Sequence, residues 1–241
     1  MRNNFFLLVV TFVSALALTN TSECVRASET ETDVAPMPAT KATVAERVVV
    51  EARRILVNVK TTAYSHKIKV DEQTGHYELD CSALAALILR AVAPEALKAI
   101  AISEKKSRPH ALQFYQAFAD APTDNDDGGG HWRQIQRLLD ARTGDFIAWR
   151  KLEIKAGEST GHVMVIDETP TCEPDGRIRI VVIDSTSRPH ANDSRSGGGV
   201  GRGTLWFKTD AEGRPVGYYS RPSSDHLNVV PLAIGRIVEQ K

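Results

Sequence analysis

Tyr77-Glu78-Leu79-Asp80-Cys81-Ser82-Ala83-Leu84 sets a cysteine between two polar residues just where an apolar stretch begins. The run from Leu79 to Val92 is dense in Ala and Leu, which predicts a helix buried on most sides. A cysteine at a helix N-terminus meets the positive end of the macrodipole, which favours negative charge on sulfur. The first-turn amides there have no intrahelical acceptor and can donate to a developing oxyanion. Taken alone, the same position also suits a packed thiol, because free cysteines are among the most buried residues.

Outward from that helix the chain divides in two. Upstream, apolar residues at 44, 48, 49, 52, 55, 56 and 59 predict an amphipathic helix over 44–59. Downstream, Pro94 opens a helical segment to about residue 103, and a further helix is expected over 109–119. The segment 124–130 (DNDDGGG) reads as a loop and 131–139 as a short helix. After that, strands are expected at 145–150, 161–167, 177–184, 203–208, 216–219 and 229–238, several of them rich in β-branched residues. Pro174-Asp175-Gly176 is a turn signal, so the strands on either side should form an antiparallel hairpin. Helices first and strands second predict an α+β fold with N-terminal helices packed on an antiparallel sheet, not alternating βαβ units.

The 241 residues suit one large domain or two small ones, and Lys plus Arg equals Asp plus Glu at 30 each. No global basic field exists to gather nucleic acid. The single long apolar run is Phe5 to Leu18, preceded by Arg2 and followed by Val25-Arg26-Ala27, the layout of a secretory signal peptide cleaved near Ala27. An uncleaved anchor is the alternative, but fourteen residues is short for a span. Cleavage leaves a net charge of about −1 and no integral membrane segment. Residues 28–43 are polar and aperiodic and read as a flexible leader, and 44–241 as one domain. Removal of Cys24 would leave Cys81 and Cys172, which in an oxidising compartment could form one disulfide. A catalytic role for Cys81 requires that it be free, with Cys172 an exposed, non-catalytic thiol in a Pro-rich turn.

A thiolate nucleophile needs a base within hydrogen-bond reach and a group that orients the base. Gly161-His162-Val163-Met164-Val165-Ile166 offers a histidine at a strand start, after a glycine that lets another backbone approach. Val181-Val182-Ile183-Asp184-Ser185 ends in an acid. Alternation puts His162, Met164 and Ile166 on one face, and Ile180, Val182 and Asp184 on one face of the partner strand. Histidine and aspartate should thus meet at one end of an apolar surface, and that surface is expected to pack on the cysteine helix.

Three blocks together, D-C-S at 80–82, G-D-F-I-A-W at 144–149 and G-H-V-M-V-I-D at 161–167, resemble the NlpC-type cell-wall cysteine peptidases, a permuted papain-like superfamily. The resemblance implies a papain-like α+β domain with Cys81 as nucleophile, His162 as base and Asp184 as third polar residue, with His190 competing for that last role. It also implies an upstream tyrosine that assists the oxyanion hole, Tyr64 or else Tyr77, with Asp80 and Ser82 supporting the site. Ala83 departs from the usual glycine after D-C-S. Residues of about 93–130 exceed a minimal catalytic domain and are expected to form a helical insertion beside the cleft. The implied activity is exported hydrolysis of an amide bond in peptidoglycan stem peptides or another peptide substrate. An amidase or acyltransferase of the same fold, or a non-catalytic envelope-binding module, are the other readings.

No cofactor is called for. The glycine run 197–203 lacks G-K-[ST] and precedes a strand, which argues against a nucleotide cradle. Asp124, Asp126 and Asp127 do not fit a calcium loop. His76, His110 and His131 form no ligand spacing with cysteines, so no metal site is expected. Arg53-Arg54 and Lys105-Lys106 read as solvated pairs on helices. Oligomeric state is left open by the sequence.

Overall fold

The computed structural model describes residues 42–103, 106–123, 130–155 and 158–239. The expected signal peptide and nearly all of the expected leader lie outside the described residues, as does 124–129 with its three aspartates. Among the described residues, no helix is long and apolar enough to cross a membrane.

Helix α1 (Val44–Asn58) opens on a capping box: Thr43 Oγ1 accepts from the Glu46 amide at 3.3 Å, and the Thr43 amide donates to Glu46 Oε2 at 2.7 Å. Its buried residues Val44, Val48, Val49, Ala52 and Ile55 follow the helical period. Three short strands follow, β1 (Thr61–Ala63), β2 (Lys69–Asp71) and β3 (His76–Glu78), with β3 between β1 and β2. Helix α2 (Cys81–Val92) comes next and is buried along most of its length. Helix α3 (Pro94–Lys98) is a single turn and α4 (Ala111–Ala119) is longer.

The remaining strands are β4 (Trp132–Ile135), β5 (Phe146–Arg150), β6 (Gly161–Ile166), β7 (Thr171–Cys172), β8 (Ile178–Thr186), β9 (Gly199–Thr209), β10 (Pro215–Tyr219) and β11 (Leu232–Ile237). They form an antiparallel sheet in the order β10-β9-β8-β6-β5-β11-β4, with β7 on β8. The fold class is therefore α+β, with four α-helices and an antiparallel sheet among the described residues.

The sheet has two apolar faces. Phe146, Ala148, Val163, Val165 and Ile183 pack against α1, α2 and α4. Ile147, Trp149, Met164, Ile166, Ile180, Val182, Leu205 and Phe207 form a second core on the other side. Tyr218 of β10 stacks on Trp149 of β5 at 4.5 Å, although β9, β8 and β6 lie between those strands, so the sheet curls over that second core. This corrects one expectation. The Met164/Val182 face does not pack on the cysteine helix; the opposite face does. Alternation gave the correct partition of residues, but both faces of these strands are apolar, so patterning alone left open which one meets the helices.

Three element assignments also change. Residues 131–139 are strand β4 and then a 3₁₀ turn (Leu138–Asp140), not a helix. Apolar residues at 132, 135, 138 and 139 imitate a helical stripe, but pairing with β11 and the indole N–H of Trp132 donating to the Ala96 carbonyl at 2.8 Å fix an extended chain. The glycine run is strand from Gly199 onward. Residues 61–78 carry no sequence signal for β1, β2 and β3, because strands of three residues are too short for a periodic pattern.

The expected insertion at 93–130 is divided in role. Helix α4 belongs to the main core, where Phe114 and Phe118 pack with Trp132 and Phe146. The segment 106–111 borders an open cleft.

Candidate active site

Cys81 is the first residue of α2, and it is free and buried. Asp80 is the N-cap: its Oδ1 accepts from the Ala83 amide and from Ser82 Oγ, both at 2.9 Å. The amides of Cys81 and Ser82 are first-turn donors with no intrahelical acceptor. Arg108 Nη2 donates to Asp80 Oδ2 at 2.6 Å, Arg108 Nη1 donates to Ser82 Oγ at 2.6 Å, and His66 Nδ1 lies 3.0 Å from Asp80 Oδ2. Burial works against the Asp80 carboxylate, but His66, Arg108 and the Ala83 amide outweigh it and hold its pKa below the ordinary value. Asp80 and Ser82 are thus occupied in fixing the start of the helix. Asp80→Ala should cost about 2 kcal/mol or more, since it removes a cap and leaves Arg108 without its carboxylate. Asp80→Asn, which keeps a capping oxygen, should cost less. Urea denaturation of both variants checks the order.

His162 begins β6. A Cβ on Gly161 would stand 1.9 Å from the Trp149 carbonyl oxygen, so only glycine allows the backbone this close before the histidine. The pairs Val165↔Ile183 and Ile166↔Val182 set the β6–β8 register, and this brings Asp184 to the same end and face as His162. His162 Nε2 lies 2.5 Å from Asp184 Oδ2. That carboxylate accepts a hydrogen bond from Nε2–H and leaves Nδ1 as the imidazole's other polar atom. Ser185 Oγ donates to the Leu79 carbonyl at 2.7 Å and ties the end of β8 to the residue before the Asp80 cap.

Burial by itself would push the His162 imidazole down. The negative charge of Cys81, the Asp184 hydrogen bond and a hydrogen bond to Cys81 outweigh it and raise the pKa to about 10. Cys81 and Asp184 are thus the two neighbours that hold the imidazole, one on each side. Trp149 lies against His162 at 4.9 Å between ring centroids and limits how the imidazole can swing.

The third position is shared. Asp184 Oδ2 also lies 2.8 Å from His190 Nε2, so His190 does not displace Asp184 but meets the same oxygen. Arg195 Nη2 donates to Asp184 Oδ1 at 2.6 Å, and its other donors reach the Asp184 and Gly199 carbonyls and Asp193. Asp193 Oδ2 accepts from the His190 amide at 2.7 Å. The glycines make room for this loop: a Cβ on Gly201 would meet Arg195 Nε at 2.4 Å, and one on Gly203 would meet His190 Cβ at 2.7 Å. Burial raises the Asp184 carboxyl, but the two histidines and Arg195 overcome it and hold the pKa well below the ordinary value.

Donor atoms of His162, Asp184 and His190 all lie within 4.8 Å of one another, which is the geometry of a possible three-donor metal cluster. Both Nε2 atoms sit at hydrogen-bond distance from one carboxylate oxygen while Arg195 occupies the other. That guanidinium already supplies the positive charge a cation would bring.

Tyr64 lines the cleft beside Cys81, half-buried; burial and the charges of Cys81, Asp80 and Asp184 all raise its pKa, so it stays a hydroxyl donor. Tyr77 is fully buried and accepts from Asn58 Nδ2 at 3.0 Å, away from the cleft. Asp145 of the second sequence block is structural, since Arg236 donates to both its oxygens at 2.9 and 2.8 Å. Cys172 is corrected: it is disulfide-bonded rather than an exposed thiol, and Cys81 is not its partner. Arg53 pairs with Asp167 at 2.7 Å, and Lys106 stands on the cleft rim rather than on a helix.

Sequence reasoning missed Arg108, Arg195, His66 and Ser185. Arg195 lies in a Ser- and Gly-rich run and Arg108 in a charged linker, where local pattern carries no sign of burial. No family model matches the chain, and no curated protein or solved structure matches it.

Proposed function

We propose that this chain is an exported cysteine hydrolase that cleaves an amide bond, with peptidoglycan stem peptides as substrate and a divergent papain-like, NlpC-type architecture. The observation that carries the reading is the buried free Cys81 at the N-terminus of α2, coupled to a His162 whose far nitrogen is held by Asp184 at 2.5 Å. The Cys81 sulfur attacks the carbonyl carbon and its proton resides on His162. Collapse of the tetrahedral adduct breaks the C–N bond, and His162 returns the proton to the leaving amine. Water then adds to the thioester with His162 as base, releasing the acid and restoring the thiol. The amides of Cys81 and Ser82, with the Tyr64 hydroxyl, are the donors for the oxyanion. Asp184 orients the imidazole and balances its charge.

The test is release of soluble fragments from purified peptidoglycan, read by mass spectrometry, for the wild type and Cys81→Ala. The reading expects fragments with new amino and carboxyl termini from the wild type alone. Equal retention on the cell wall by both forms, with nothing released by either, would instead establish a binding module.

A further inference from the structure

Beside Cys81 opens a cleft of about 540 Å³ that runs from Tyr64 and His66 past the helix start to Thr160 and Gly161. Its lining includes Lys106, Arg108, His110 and Lys155, against the carboxylates of Asp80 and Glu158. Both acids are already engaged: Arg108 lies 2.6 Å from Asp80, and Lys151, outside the lining, lies 3.3 Å from Glu158. Among the described residues, Lys106 and Lys155 have no ion pair, and both are exposed. They come from different segments, one before α4 and one between β5 and β6, yet border the same opening. Positive charge is felt inside it: burial lowers the His110 pKa, and the charges of Arg108 and Lys106 lower it further. Ile68 and Ile154, both exposed, add apolar surface to the same lining.

We propose that the mouth of this cleft is an anion subsite, in which Lys106 and Lys155 receive a substrate carboxylate, so that the chain selects acidic peptides. The proposal rests on Cys81 being the reacting residue of the cleft. Exposed ion pairs are weak, so two lysines acting on one carboxylate should give a preference of only roughly three- to ten-fold at low ionic strength.

The probes are chloroacetyl-Ala-Glu-amide and chloroacetyl-Ala-Gln-amide, which differ by one carboxylate. Their second-order rates of Cys81 alkylation are measured on the full chain by intact mass. The glutamate probe should react about three- to ten-fold faster, and the ratio should approach one in 0.5 M salt and in Lys106→Gln/Lys155→Gln. Lys106→Arg/Lys155→Arg should preserve it. A ratio near one in the wild type, or one unchanged in the Gln variant, would overturn the subsite. The iodoacetamide rate of the wild type separates this from the enzyme reading: a rate no faster than an unassisted cysteine would count against catalysis while the glutamate-to-glutamine ratio still reports on the subsite.

Discussion

His162→Ala should slow alkylation of Cys81 by iodoacetamide at pH 6 by roughly ten-fold or more, and should abolish amide hydrolysis to within a residual set by the oxyanion donors. At pH 6 an unassisted thiol with a pKa of about 8.5 is less than about 1% thiolate. His162 is hydrogen-bonded to Cys81, so its removal takes away the base that would assist the sulfur. A positioned general base contributes about 10²–10⁴-fold in general, so a ten-fold loss is the lower bound expected here.

The pH dependence follows from the sign of the His162 shift. Its pKa rises from the ordinary 6.5 to about 10. Its contribution to stability is therefore fully present below about pH 6.5 and lost as pH rises through about 10. The proposed hydrolysis needs the imidazolium as proton donor to the leaving amine, so its rate should fall on that basic side. Alkylation needs no such donor and should not fall there. Rates that fell together would point to unfolding, and a wild-type alkylation rate equal to that of His162→Ala would remove the catalytic pair.

Arg195→Met should destabilise the protein by about 3–5 kcal/mol, because it strands the buried Asp184 carboxylate. For a chain of this size that is a fall in Tm of roughly 10 °C. Asp184 is 1% exposed and Arg195 9% exposed, so water cannot take over the lost donors. Asp184→Asn on top of Arg195→Met removes the uncompensated charge and should recover part of the stability while hydrolysis stays low. Under the proposed function Arg195 is a positioning residue, and the split between stability and activity in the double variant distinguishes that role from general packing. A loss below about 1 kcal/mol, the range of an exposed pair, would show that solvent reaches Asp184. The carboxyl is held well below its ordinary pKa. Its stabilisation is present above about pH 4 and lost as pH falls through the depressed value, so acid should weaken the wild type more than a chain carrying Asp184→Asn.

The sequence by itself determined what is local. Asp80 before Cys81 fixes a cap and places the sulfur at a helix start, because a side-chain oxygen three residues from an amide needs no distant partner. Period-two alternation placed His162 and Asp184 on matching faces, and Pro174-Asp175-Gly176 marked the turn that runs β7 back antiparallel along β8, with the Glu173 amide closing it on the Arg177 carbonyl at 2.8 Å. The tertiary structure decided the rest. Both faces of β6 and β8 are apolar, so only packing could choose which meets α2. Edge pairing with β11 overrode the helix-like spacing at 132–139. The choice of Tyr64 over Tyr77 rests on burial, which depends on the whole fold. Arg195 and His190 reach Asp184 only because Gly201 and Gly203 leave space under a folded-back loop. The two rim lysines come from segments far apart in sequence, and only the folded chain brings their charges to one opening.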